Sequence, residues 1–347
     1  MPVRAAIYGC SGPTLSDAER SFFAEADPWG FIIFARNIES PSQVAALAAD
    51  IRATVGRDLP ILIDQEGGRV ARFRPPYWRA YPPGRAYGEL FELDKEAGLE
   101  AVHLASRLIA TELFASGVNA DCLPVLDVPV LGAHDVIGDR AYADSPETVI
   151  ALGRAAAKGL LDGGVLPVMK HIPGHGRAGN DSHLSLPTIT TDVKTLNETD
   201  FAPFRALATL PVAMTAHVVY EAIDADAPAT TSRRVIDDII RGVIGFNGLL
   251  MSDDLSMQAL SGSIATRTNA SLKAGCDLVL HCNGKMDEME AVAGEVHMLT
   301  GDALSRSNAA LNKIGVPQDF DENAALERLH ALLGILGDKY KTGYRGV

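Results

Sequence analysis

The sequence predicts an α/β protein, a single (β/α)8 TIM-type barrel with extra C-terminal helices. Three observations carry this. Short apolar runs suited to strands recur eight times along the 347 residues, amphipathic stretches lie between them, and ionisable residues gather where the runs end. Strands alternating with helices imply a parallel sheet. Eight such units in a chain of this length favour a closed barrel over an open doubly wound sheet, and at the C-terminal rim of a barrel the strand-end residues face the active site. No Gly-x-Gly-x-x-Gly follows the first strand, which weakens a dinucleotide-binding alternative.

The first strand is expected over Ala6–Gly9 and the second over Phe31–Ala35. A helix over Ser40–Val55 follows, with Ser40 as N-cap and Pro41 at the first helical position. The third strand is Ile61–Asp64; the long amphipathic stretch Asp94–Ser116 is a helix that Gly117 stops, and the fourth strand is Asp121–Leu126. Helices over Pro146–Leu161, Pro203–Thr209, Ser232–Ile244 and Ala265–Ala274 precede strands Pro167–His171, Val212–His217, Leu249–Asp253 and Leu278–Cys282. The barrel then spans about residues 5–282 and terminal helices about 283–340. Neither a linker nor a low-complexity segment divides residues 1–347 into further domains.

Composition narrows the partners. A hydrophobic content of 47% is enough for a large core, while a net charge of -13 without any Lys/Arg block argues against nucleic acid or an anionic membrane surface. Cys10, Cys122, Cys276 and Cys282 are too far apart for a Cys-x-x-Cys pair and read as buried, reduced residues. The N-terminal apolar stretch is too short for a signal segment, and no run reaches the ~18 apolar residues of a membrane span. The expected address is the cytoplasm, and the expected state a monomer or weak dimer.

Residues 170–183, Lys-His-Ile-Pro-Gly-His-Gly-Arg-Ala-Gly-Asn-Asp-Ser-His, concentrate the most chemistry. The fifth strand delivers Lys170 and His171 to its end, and a glycine-rich loop carries Asp181 and His183. A carboxylate beside an imidazole raises its pKa and fixes its tautomer, which is how a general acid/base is built. Other strand ends add Asp64, Arg69, Arg72, Asp127, Asp139, Arg140, His217, Asp253 and Asp254. A core-only explanation does not predict charges placed this way.

In this order, Asp64-Gln-Glu-Gly-Gly-Arg-Val, Lys170-His-Ile-Pro-Gly-His-Gly, Asp181-Ser-His183 and Ser252-Asp-Asp-Leu-Ser-Met resemble the bacterial β-N-acetylhexosaminidases of glycoside hydrolase family 3, and Phe34-Ala-Arg-Asn-Ile-Glu-Ser-Pro fits the same group. The likeness covers roughly Phe31 to Cys282. It implies Asp253 as catalytic nucleophile, with Asp254 the runner-up, His183 as general acid/base partnered by Asp181, and Asp64, Arg72, Arg140, Lys170 and His171 as binders of the terminal sugar. It implies no metal and no cofactor. The implied reaction is retaining removal of terminal β-1,4-linked GlcNAc from GlcNAc-1,6-anhydroMurNAc muropeptides in cell-wall recycling. Retaining glycosidases usually pair two carboxyl groups about 5 Å apart, whereas here an imidazole takes the second place. The sequence departs from the common pattern at Arg177-Ala-Gly-Asn and in the Ala-Tyr that follows Arg140.

Other readings stand beside this one. Asp64 and Arg72 form only a structural ion pair in the blandest of them, Asp127 either orients Lys170 or serves a structural role, and His175 and His217 are supporting or core histidines. Phosphate replacing water would make the same site a β-glycoside phosphorylase, and a sugar acceptor would make it a transglycosylase. A metal-dependent barrel hydrolase would use His171, His175, His183 and His217, although Pro173-Gly174 keeps His171 and His175 off a shared helix face. A sugar-binding barrel without catalysis would need only the Asp64, Arg72 and Lys170 cluster.

Overall fold

The eight apolar runs form eight strands, each hydrogen-bonded in parallel to the next in sequence: β1 (Arg4–Gly9), β2 (Pro28–Ile33), β3 (Ile61–Ile63), β4 (Ala120–Asp121), β5 (Leu166–Ile172), β6 (Val212–Thr215), β7 (Leu249–Asp254) and β8 (Leu278–His281). β8 pairs with β1, with Ala6 opposite Val279 and Tyr8 opposite His281, and closes the barrel. The computed structural model describes residues 3–179 and 186–340.

The period-two rule of a strand divides the core. Ile7, Leu62, Cys122, Val168, Met214, Met251 and Leu280 belong to the cluster that fills the barrel. Their strand neighbours, among them Tyr8, Ile63, Met169, Ala213, Leu250 and Val279, pack outward with the helices. Carried two residues further, the inward series reaches Asp64 after Leu62, Lys170 after Val168 and Asp253 after Met251. The face that is apolar in mid-barrel thus becomes ionisable at the C-terminal rim.

Local signals explain most helices. Ser40 caps the helix Pro41–Val55 by accepting from the Gln43 N–H, and Asp94 caps Lys95–Ala115 by accepting from the Ala97 N–H at 3.1 Å. Gly117 follows in the left-handed region with φ 76°. Helix Pro146–Asp162 precedes β5. The short helix before β6 is Ala202–Ala206, ending ahead of the expected Thr209, and the segment before β7 winds as a wide π-helix over Val235–Val243. Helices Asp17–Ala26 and Gly84–Leu93 are additions to the expected pattern.

Two strands differ from expectation for clear reasons. β2 starts at Pro28 and stops before Phe34, whose N–H donates to the Asn37 side chain at 2.9 Å and turns the chain into a 3-10 segment. β4 is regular only over Ala120–Asp121, because Pro124 has no N–H for the ladder. Beyond it the chain still follows β5, with Val168 N–H donating to Leu123 O and Leu126 N–H to Lys170 O.

After the barrel come helices Met286–Glu295, Gly301–Leu311 and Glu322–Leu333. The second covers the N-terminal end of the barrel, where Leu304, Ala310 and Leu311 join the interior cluster and Trp29 Nε1 donates to Ser307 Oγ at 2.8 Å. All four cysteines are buried free thiols, as the spacing implied. Among the described residues no helix is long and apolar enough to cross a membrane.

Candidate active site

A cavity of about 110 Å³ opens at the C-terminal rim, lined by Asp64, Arg72, Arg140, Lys170, His171, His175 and Asp253 beside Val70, Val136, Ile137 and Met214. Six of the eight expected site residues therefore meet in one place. Asp181 and His183 lie outside the described residues.

A small antiparallel hairpin, Gln65–Gly67 against Val70–Ala71, sets the first wall. The buried Gln65 holds it: its Oε1 accepts from the N–H groups of Arg72 (2.8 Å) and Phe73 (2.9 Å), and its own N–H donates to Asp121 Oδ1 at 3.0 Å. This aims Asp64 at two cations. Lys170 Nζ donates to Asp64 Oδ1 at 2.8 Å and Arg72 Nη2 to Oδ2 at 3.0 Å. Burial alone would raise the Asp64 carboxyl, but Lys170 and Arg72 outweigh it and hold the group well below the usual carboxylate range. Asp64 and Arg72 are thus an ion pair and also part of the cavity wall.

Glu66, to which the sequence gives no separate role, ties the turn Gly138–Arg140 to β5. Its carboxylate takes a fork from Arg140, Nε to Oε2 and Nη2 to Oε1, both at 2.8 Å, and lies 2.7 Å from Lys170 Nζ. Against the effect of burial, Arg140 and Lys170 lower its pKa to about 2. Burial would also deprotonate Lys170, but Asp64 and Glu66 push its pKa up and keep the ammonium charged. The signal for Glu66 in the sequence was its place two residues after Asp64; its partners come from distant segments.

His171 sits next to Lys170 and lines the same cavity, but takes a different carboxylate. Its Nδ1 lies 2.7 Å from Asp127 Oδ2, so the N–H is on Nδ1 and Nε2 is left toward the cavity. Asp127 Oδ1 also accepts from the backbone N–H groups of His171 (3.2 Å) and His175 (2.7 Å). The partners of Asp127 are these two histidines, which replaces the suggestion that it orients Lys170. The His175 ring packs edge-on against His171, and burial with the adjacent imidazole lowers its pKa to about 4. His217 is satisfied in the core, with Nδ1 2.7 Å from Thr230 Oγ1 and Nε2 3.0 Å from Asp254 O.

The two aspartates ending β7 have different environments. Asp254 accepts from Ser256 N–H (3.0 Å), Ser256 Oγ (2.5 Å) and Cys282 N–H (3.1 Å), which fixes both of its oxygens. Asp253 lines the cavity, and its Oδ1 accepts from the Asp254 N–H at 2.8 Å. Arg69 lies at the outer edge, joined to Asp139 at 3.1 Å and to the carbonyls of residues 135–137. Arg177 anchors the stretch leading toward Asp181: its Nε donates to Asp200 Oδ2 at 2.6 Å and its Nη2 to Thr199 Oγ1 at 2.9 Å. Among the described residues no group of three His, Cys, Asp or Glu side chains is arranged to hold a metal ion.

Residues 12–314 match the family model described as the glycosyl hydrolase family 3 N terminal domain. The chain is 42% identical over 281 residues to a beta-hexosaminidase of Alkalilimnicola ehrlichii, covering 80% of each chain, and 44% identical over 281 residues to one of Methylococcus capsulatus, covering 80% of this chain and 82% of that one. Among solved structures, NagZ from Neisseria gonorrhoeae in complex with N-trifluoroacetyl-D-glucosamine superposes with a TM-score of 0.86 at 33% identity, over 96% of this chain and 99% of that chain. A family 3 beta-N-acetylglucosaminidase from Paenibacillus sp. str. FPU-7 superposes with a TM-score of 0.84 at 29% identity, over 94% of this chain and 66% of that one. With a charged cavity at the carboxyl rim of a parallel barrel and these relatives along most of its length, the chain belongs to glycosyl hydrolase family 3 and is a glycoside hydrolase.

Proposed function

We propose that this hydrolase is a retaining exo-β-N-acetylglucosaminidase that removes terminal β-1,4-linked GlcNAc from GlcNAc-1,6-anhydroMurNAc muropeptides in cell-wall recycling. The observation that carries the reading is the division of labour at the end of β7: Asp254 is bound on both oxygens, while Asp253 faces the cavity across from the Asp64–Lys170–Arg72 cluster. The complex of the gonococcal NagZ with an acylated glucosamine adds support. Residues 1–347 are taken to work as one domain, as a monomer or weak dimer, in the cytoplasm and without metal or cofactor.

In this mechanism Asp64 accepts from sugar hydroxyls, and Arg72, Arg140, Lys170 and His171 fix the terminal ring. The Asp253 carboxylate attacks the anomeric carbon as the bond to the leaving oxygen breaks, and His183, oriented by Asp181, gives that oxygen a proton. Water then attacks the same carbon, gives its proton to His183 and releases Asp253. Two displacements retain the β configuration.

The test is hydrolysis of p-nitrophenyl β-N-acetylglucosaminide beside the β-glucoside, with the muropeptide as a further substrate. Asp253→Ala is expected to lose about 10⁴-fold or more in kcat while still binding GlcNAc. Near-normal turnover of that variant would move the nucleophile elsewhere. For His183→Ala the expected loss is much larger on the muropeptide than on the aryl glycoside, because p-nitrophenolate leaves without a proton; equal losses would remove the acid role.

A further inference from the structure

We propose that Glu66 sets both the geometry and the charge of the terminal-sugar pocket, holding Arg140 and Lys170 for a neutral sugar and excluding anions such as inorganic phosphate. The inference rests on the sugar-binding reading above and adds a residue that touches no substrate. Glu66 is nearly inaccessible, with 3% of its side chain exposed, and is not part of the cavity lining. Its two oxygens take three donors from two segments, Nε and Nη2 of Arg140 and Nζ of Lys170. Arg140 is held a third time, by Nη1 to Val136 O at 3.1 Å, so its remaining N–H groups have fixed directions.

Charge gives Glu66 its second role. Arg72, Arg140 and Lys170 are balanced by Asp64, Glu66 and Asp253. With the Asp127 anion behind His171 as well, the pocket has no excess of positive charge, which suits an uncharged N-acetyl sugar and gives a phosphate dianion no advantage over water. Without the Glu66 charge, Arg140 would lose its carboxylate partner and Lys170 would share Asp64 with Arg72, which makes a better site for phosphate. The same balance bears on whether water or phosphate resolves a glycosyl intermediate.

The experiment compares the wild-type chain with Glu66→Gln and Glu66→Asp, measuring kcat and KM on the aryl N-acetylglucosaminide and inhibition by inorganic phosphate at constant ionic strength. Calorimetry with GlcNAc and with phosphate accompanies it. Glu66→Gln is expected to raise KM about tenfold or more through misplaced donors and to tighten phosphate inhibition on the order of tenfold through the lost charge. Glu66→Asp keeps the charge with a shorter reach, so it is expected to raise KM and leave phosphate inhibition as in the wild type. A merely structural Glu66 would lower the active fraction of both variants and leave the phosphate constant unmoved, and that result overturns the inference. So does tighter phosphate binding by Glu66→Asp, which decides the matter even if Glu66→Gln does not fold. If the wild-type protein releases no p-nitrophenol, the hexosaminidase reading falls, while the calorimetric phosphate comparison still tests the role of Glu66.

Discussion

Asp127 is wholly buried and still an anion, because three N–H groups from His171 and His175 converge on it. Burial pushes its carboxyl up, but His171 and its hydrogen bond more than reverse this, to about 2. In Asp127→Asn the amide oxygen replaces only one of the two acceptors, and the His171 ring loses the partner that fixes its tautomer. The expected cost is about 10²-fold in kcat/KM with the fold retained, read from steady-state kinetics beside circular dichroism; activity within twofold of wild type would show that the orientation of His171 is unimportant. Much at this scale was legible in the sequence. Asp64, Lys170 and Asp253 continue the inward face of their strands, a matter of counting by twos. The choice of partners was not: Lys170 and His171 are adjacent and both line the cavity, and nothing in their spacing says that Asp64 takes one and Asp127 the other.

Helix Gly84–Leu93 shows how an element with no ionisable role positions one that has it. Gly84 and Gly88 lie one turn apart on the face that meets residues 140–142. A Cβ at Gly88 would stand 1.7 Å from Tyr142 O, and one at Gly84 2.3 Å from Arg140 O. Gly88→Ala must therefore shift the helix or the backbone that carries Arg140. The expected result is a loss of roughly 1–3 kcal/mol of stability, measured by urea unfolding, with a raised KM and a smaller change in kcat. An unchanged KM would mean that Arg140 does not depend on this contact. This helix was hard to see, since Pro83 supplies no side-chain cap at its start. Asp17–Ala26 was visible in principle, because Ser16 and Glu19 make a capping box. The wide turns of Val235–Val243 were not, since its apolar spacing also suits an ordinary helix.

For the whole molecule, closure followed from counting strands and helices, whereas the seat of Gly301–Leu311 under the barrel did not, because its partner Trp29 is distant in sequence. The charged rim has a thermodynamic consequence. Burial and its neighbour His171 lower His175 to about 4, and their cationic or N–H partners overcome burial to hold Glu66 and Asp127 at about 2. As pH falls from about 6.5 the unfolded chain takes up the His175 proton first. Below about pH 4 it also protonates carboxylates that remain ionised in the fold, so stability is lost progressively toward pH 2. Glu112, which burial raises to about 7, and the buried Asp121 and Asp200, which burial also raises, have the opposite sign, and Glu112 offsets His175 above about pH 4.5. Urea-unfolding free energies are expected to decline most steeply below about pH 4; a flat profile from about pH 4 down to about pH 2 would contradict the assignment. The buried thiols add a different property. Burial pushes the Cys10, Cys122, Cys276 and Cys282 thiols well up, leaving little thiolate and little surface for an aqueous reagent. Cys122 is inside the barrel and Cys276 in the layer beneath the helices, so each becomes reactive only when its own layer opens, and the chain carries two native clocks for the order in which its shells come apart.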